Sequence, residues 1–426
     1  MMRIGALTGL LALGIAASAL WAQPTLTHLK SVDLSSYFTA GGAQGDSVSD
    51  VAFDGRNLYV VGFSVANTAD PVPVGVLKIA NVLSPDVNQW SYIPLISLTQ
   101  AAQSRVSYVV YKDGFLYLGT GLGDGSGNPA RTGVRKFDAT TGVQDTNWNG
   151  TGVVMPADLT PGTTSRMECV AIDPGYQGSG ESLAIVARGR GFIFRRDFAT
   201  GSAWPNILAT PTRPDNSTTT GMRDISFAPN GDAYLRVDNS VWYAQRTGAN
   251  TVAGNRANLL IDLSSDSAFM VQINVLYLPT PSGDLLLFNR RDGNNSFPKV
   301  FAYLGSGATW NPYLEITGAE PLPGGSTPNP FARDVLNFTY GDGPDPSAGD
   351  VNLDGTVDDA DLLTVLFAFG TSDPSADVNL DGTVDDADLL TVLFNFGSSP
   401  TARYLFIIQA NFIAGDDRLD IYRVNP

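Results

Sequence analysis

The sequence predicts a mainly β chain: a six-bladed β-propeller with a small α-helical insertion in its last blade. Three observations predict it. A hairpin of two strands recurs at a spacing of about 50–60 residues, as the blades of a propeller do. The sixth hairpin breaks off after its first strand, at residue 340, and resumes at residue 401. Between its halves lies an eighteen-residue stretch, 350–367, repeated without change at 377–394.

In chain order, residues 1–22 carry one Arg, an apolar run over 4–19, and small residues at 17–19 and 22. This is the pattern of a secretory signal peptide, so a secreted, extracellular protein is expected. No later stretch reaches the roughly 18–20 continuous apolar residues of a membrane span.

Residues 23–341 are expected to hold an N-terminal strand, blades 1–5 and the start of blade 6. The hairpins fall at 48–63, 105–120, 166–188, 222–237 and 271–289, most of them turning at Asp-Gly, Asn-Gly or Ser-Gly. Such pairs tolerate the positive φ of a tight hairpin. Third strands are expected at 75–79, 133–137, 191–195, 240–244 and 298–303, and fourth strands at 90–96, 151–156, 204–209, 257–263 and 312–317. A row of sandwich domains would repeat at about 100 residues instead. The sixth blade opens with ARDVLNFTY at 332–340, which echoes RDISF at 223–227. Its second and third strands are expected within 401–426, and its fourth at 26–34 near the other end of the chain. Such an exchange closes the ring and removes exposed edges.

The insertion, 342–400, carries the duplicated stretch. Each copy sets oxygen donors at loop positions 1, 3, 5, 9 and 12: Asp350, Asn352, Asp354, Asp358 and Asp361, then Asp377, Asn379, Asp381, Asp385 and Asp388. Glycine at position 6 allows a sharp bend, and Thr356 and Thr383 at position 7 would offer their carbonyls. Calcium takes six to eight such oxygens, so two Ca²⁺ ions are expected. The loops follow the EF-hand pattern, with Asp where position 12 usually has Glu. Each is followed by one helix and preceded by none. The doubled D-x-N-x-D-G-x-V-D-x-x-D resembles the dockerin type I module of secreted polysaccharide-degrading proteins. The resemblance covers about 50 residues. It implies a cohesin-like or other exported protein as partner, contacted at positions 10 and 11: Asp359-Ala360 and Asp386-Ala387. The helices that follow are too apolar all round to be solvated alone.

Aligning the innermost strands places one polar residue at a matching point of each blade: Asp50, Ser107, Glu168, Asp224, Asn274 and Asp334. First strands line a propeller's channel, so these six form a candidate ring for a divalent cation or a polar ligand. The arrangement is similar in kind to gluconolactonase-type six-bladed propellers, which hold a channel metal with carboxylates and amides. Arg105, Arg166, Arg223 and Arg333 lie one or two positions earlier and could instead pair with the carboxylates.

Composition removes several classes. Between residues 341 and 402 there are thirteen Asp and no Lys or Arg; taking those charges from the formal −16 leaves −3 for the rest. The acidity belongs to the loops, and nothing supplies the basic surface that nucleic acid requires. Cys169 is the only cysteine, so there is no intrachain disulfide. His28 is the only histidine, which argues against a His-metal cluster or a Ser-His-Asp triad. The reading is a secreted calcium-binding propeller acting as a binding or docking module, with an exported protein or a glycan as partner. A metal-dependent hydrolase, lactonase or carbohydrate-active, with its site at the channel is the alternative.

Overall fold

The computed structural model describes residues 23–38, 46–64, 72–98, 106–120, 133–155, 167–187, 190–219, 221–263, 274–291, 298–316, 335–410 and 417–426. The expected signal segment, Arg105, Arg166, Arg333 and Asp334 lie outside these, as does the side chain of Ser107.

The strands form where β-branched and aromatic residues run between turn residues, and the turns set their register. In the second blade Asp113 (φ 48°) and Gly114 (φ 83°) link the paired Lys112 and Phe115. Both φ values are positive, and a turn of that hand matches the twist of the two strands. The inner strands carry apolar residues on both faces because a neighbouring blade covers each face. Along the run Tyr404–Ile408, Leu405 and Ile407 pack toward the fifth blade while Tyr404, Phe406 and Ile408 pack toward the first. This gives the run its continuous apolar character, where a half-exposed strand would alternate.

Six sheets stand around the ring. The first blade is Asp46–Phe53, Leu58–Ser64, Val72–Ala80 and Ser91–Leu98. The second is Val106–Lys112, Phe115–Thr120 and Gly133–Asp138. The third is Met167–Asp173, Ser182–Ala187, Phe192–Arg196 and Ala203–Leu208. The fourth is Met222–Phe227, Ala233–Val237, Ser240–Ala244 and Arg256–Asp262, with Thr210–Thr212 added in parallel at its edge. The fifth is Val275–Leu278, Asp284–Arg291, Pro298–Ser306 and Thr309–Ile316. The second blade departs from expectation, since the described part of its fourth-strand segment, residues 151–155, forms no strand and makes a single bridge, Val134 to Val154. A 3₁₀ turn at Trp148–Gly150, with Asn149 at φ 57°, bends the chain away just before it could pair. Trp148 then fills the space, buried against Tyr117.

The sixth sheet joins the two ends of the described chain. Its order from the channel outward is Val335–Pro344, Thr401–Ala410, Arg418–Asn425 and Thr25–Asp33. The last two pair antiparallel from Thr25↔Asn425 to Asp33↔Arg418.

Pro344 pairs with Thr401, so residues 345–400 are the loop of one hairpin. They hold two short helices, α1 (Asp359–Ala368) and α2 (Asp386–Phe394), each opened by a capping box from Asp358 or Asp385. The helices pack together through Val357, Val365, Val384 and Val392, all fully buried. Their outer faces stay open: Phe367 is 85% and Phe394 83% exposed, with Leu363, Leu366, Leu390 and Leu393 also exposed. The identical copies meet different surroundings, most sharply at their fourth position. Leu353 is 3% exposed, inside the core between the sixth and first blades, whereas its twin Leu380 is 61% exposed.

Candidate functional site

Two groups of residues carry chemistry: the duplicated loops and the ring at the channel. In the loops the bend comes at Gly355 (φ 97°) and Gly382 (φ 95°), a conformation that side chains with a Cβ rarely adopt. The position-1 carboxylates hold that bend. Asp350 accepts from the N–H of Asp354 (3.1 Å) and Gly355 (3.0 Å), and Asp377 from Asp381 (3.1 Å) and Gly382 (2.8 Å). At position 12, Asp361 accepts from Asn352 (3.1 Å) and Asp358 (2.9 Å), and Asp388 from Asn379 (3.0 Å) and Asp385 (2.8 Å). Asp354 and Asp381 each accept from the threonine two residues on, and Asp358 and Asp385 cap their helices.

The two halves interlock. Val357 of the first loop exchanges backbone bonds with Gly397 and Ser398 beyond α2, and Val384 of the second with Gly370 and Thr371 beyond α1. Neither loop is therefore held by its own helix alone. The donor set is all oxygen, and carboxylate oxygens that accept one N–H keep a further lone pair. That chemistry fits a hard divalent cation. Burial, with the neighbouring carboxylates of Asp361 and Asp354 adding to it, pushes Asp350 up to about 6. The side chains are nonetheless turned onto N–H groups: among the described residues, no three His, Cys, Asp or Glu are grouped so as to hold a metal ion. Asp359, Ala360, Asp386 and Ala387 are all exposed.

The channel is a cavity of about 260 Å³ whose polar lining includes Asp50, Tyr108, Cys169, Asp224 and Asn337. Its membership differs from the expected ring. Asp50 and Asp224 stand where expected, but Tyr108, Cys169 and Asn337 take the places assigned to Ser107, Glu168 and Asp334. The cause is a bulge near the start of four inner strands. Pairing skips Ser49, Ser107, Glu168 and Arg223, so the residue after each takes the equivalent position. Glu168 faces Arg223, 3.4 Å away. Asn274 is buried and accepts nothing from the ring; its N–H donates to Asn289. A usable signal was in the sequence. Each ring residue is followed three positions later by a bulky apolar one: Phe53, Tyr111, Ile172, Phe227, Tyr277 and Tyr340. Alignment on these finds all six positions, whereas alignment on polar type does not.

The ring carboxylates tie blades together. Asp50 accepts from Val51 N (2.8 Å), from Val109 N of the second blade (2.8 Å) and from the Asn337 amide of the sixth (2.6 Å). Asp224 accepts from Ile225 N (2.9 Å), Val275 N of the fifth blade (2.8 Å) and the Cys169 thiol of the third (2.8 Å). Each carboxylate thus links three consecutive blades, and the two stand in opposite halves of the ring. Burial pushes Asp224 up to about 6, and burial together with the Asp224 charge pushes Asp50 well up. Burial and the adjacent Asp224 raise the Cys169 thiol as well. His28 does meet Ser31 (3.0 Å) and Asp420 in the closing sheet. The aspartate takes its hydrogen bond from the serine hydroxyl, and Arg418 binds both, so the relay order of a hydrolytic triad is not formed.

No protein-family model and no curated protein sequence matches this chain. Among solved structures it is similar to an auxiliary nutrient binding protein of Bacteroides thetaiotaomicron, at 9% identity and a TM-score of 0.44, over 94% of this chain and 76% of that one. A putative oxidoreductase (glucose dehydrogenase) of Thermus thermophilus is similar at 12% identity and 0.42, over 93% and 100%. An aldose sugar dehydrogenase of Streptomyces coelicolor is similar at 10% identity and 0.40, over 95% and 99%. At these values the likenesses say nothing of what this chain binds. Among the described residues no helix is long and apolar enough to cross a membrane.

Proposed function

We propose that this chain is an exported, calcium-binding propeller that serves as an extracellular binding or docking protein. One observation carries the reading. Two loops of identical sequence take the same bend, with position-1 and position-12 carboxylates on the same backbone groups in both. Asp350, Asn352, Asp354, Thr356, Asp358 and Asp361 would hold one Ca²⁺, and Asp377, Asn379, Asp381, Thr383, Asp385 and Asp388 the other. The ions would neutralise carboxylate charge that no Lys or Arg of residues 341–402 offsets.

The docking part of the reading rests on the open faces of α1 and α2. Phe367 and Phe394 are more than four-fifths exposed, and each helix also exposes two leucines, the kind of apolar surface on which interaction sites are built. Together with the dockerin resemblance this points to an exported protein partner of cohesin type, in a setting of polysaccharide breakdown. In the channel this reading gives the Asp50 and Asp224 carboxylates a structural role, since the hydrogen bonds they accept hold neighbouring blades together.

Isothermal titration of calcium into chelator-treated full-length protein tests the metal claim. Two sites are expected, and Asp354→Ala with Asp381→Ala should remove both. An isotherm unchanged by the double substitution overturns it.

A further inference from the structure

A second cavity lies at the seam between the propeller and the insertion, apart from the channel, with Asp377 of the second loop on its insertion side. It measures about 180 Å³, with Leu83, Trp90 and Tyr404 among its propeller wall and Val378 and Leu380 on the insertion side. The first loop shows how the same leucine behaves when it packs directly on the propeller: Leu353 is 3% exposed. Leu380 has the same φ of 59° as Leu353, yet remains 61% exposed beside the cavity. The seam therefore leaves an apolar space that its own side chains do not fill. Apolar cavities of about 150 Å³ take up benzene, so this one has room for a single ring or a branched aliphatic chain.

The cavity also has a directional polar feature. Lys30 lines it, donating to the Pro85 carbonyl at 3.0 Å with its ammonium 6.0 Å from the Trp90 ring. Among the described residues no carboxylate is in ion-pair contact with it; Asp86 acts only from farther away. Partial burial pulls the Lys30 ammonium below its usual range, as expected of a cation short of counter-charge. Arg423 pairs with Asp345 at 2.6 Å, and Asp377 is engaged by two backbone N–H groups.

We propose that the seam cavity binds a small aromatic or branched aliphatic carboxylate, its apolar end against Trp90 and Leu83 and its carboxylate on Lys30. The Lys30 side of the cavity belongs to the propeller, whereas Asp377, a donor in the calcium reading, stands on the other side, so binding is measured both with and without calcium. Benzoate is the probe, with benzyl alcohol as the uncharged analogue, titrated calorimetrically into the full-length protein with and without added calcium. Saturable benzoate binding is expected. Lys30→Met should weaken it about tenfold or more, the worth of a charge-assisted hydrogen bond, and leave benzyl alcohol unaffected. Lys30→Arg should retain binding, which separates loss of charge from loss of folding. Leu29→Trp, at an exposed lining position, should block both ligands. Absence of saturable benzoate binding overturns the proposal, as does binding that Lys30→Met leaves intact.

Discussion

Replacing Leu353 by Ala, with Leu380→Ala as its control, separates what a residue is from where it sits. Both leucines lie at position 4 of the same loop sequence, so any local effect on the loop is common to both. Leu353 is buried with Leu83, Tyr404 and Phe406 in the core between the sixth and first blades. Truncating a leucine in such a place costs about 2–5 kcal/mol, part of it for the cavity left behind. Leu380 is 61% exposed, and surface truncations stay within about 0.5 kcal/mol. Unfolding entropy near the transition is about 2.1 cal/mol/K per residue, or roughly 0.9 kcal/mol/K for a chain of this length. A loss of about 3 kcal/mol then lowers Tm by about 3 °C, against under about 1 °C for the control. Scanning calorimetry of the propeller transition reads both values. Equal shifts in the two variants would refute the claim that one loop is built into the propeller and the other is not.

The channel makes a prediction in pH. Asp224 ionises at about 6 in the folded chain, against an ordinary 3.8. Between these values the folded state holds a proton that the unfolded state has released, so stability falls as pH rises through the window, by about 3 kcal/mol. Denaturant midpoints measured from pH 4 to 7 should therefore show wild type losing ground to Asp224→Asn; parallel curves would show that the carboxylate carries no such penalty. Cys169 is 4% exposed and its thiol is raised by burial, so it should resist thiol reagents until the chain unfolds. Rapid labelling of native protein would contradict its placement.

The fold was readable where local chemistry and tertiary structure agree. Asp113-Gly114 supplies a turn of the required hand, and the unbroken apolar run at Tyr404–Ile408 reports a strand covered on both faces. The ring at the channel was only half readable. A bulge adds one residue without altering the apolar alternation on either side of it, so Ser107 and Glu168 were counted in place of Tyr108 and Cys169. The sixth blade misled for another reason. Arg333-Asp334-Val335 copies the lettering of Arg223-Asp224-Ile225 three residues too early, and only the aromatic at Tyr340 gives the true register. The unequal leucines could not have been read at all, since nothing within eighteen identical residues differs. Their environments come from which loop the hairpin presses against the first blade.

The outermost strand of the closing sheet has a consequence for the order of assembly. Thr25–Asp33 is made long before Arg418–Asn425, yet they pair with each other. A contact across nearly the whole chain is the slowest kind to form, because loop closure must be accomplished before pairing returns any stability. Until then the first strand has no partner, and the outer edge of the last blade lies open to other chains. The insertion faces no such wait. Its helices and loops close upon one another within residues 345–400, so it can be finished while the ring is still open. The half-made propeller is thus a string of blades with one part already closed, and the ring shuts only when Arg418–Asn425 meets Thr25–Asp33.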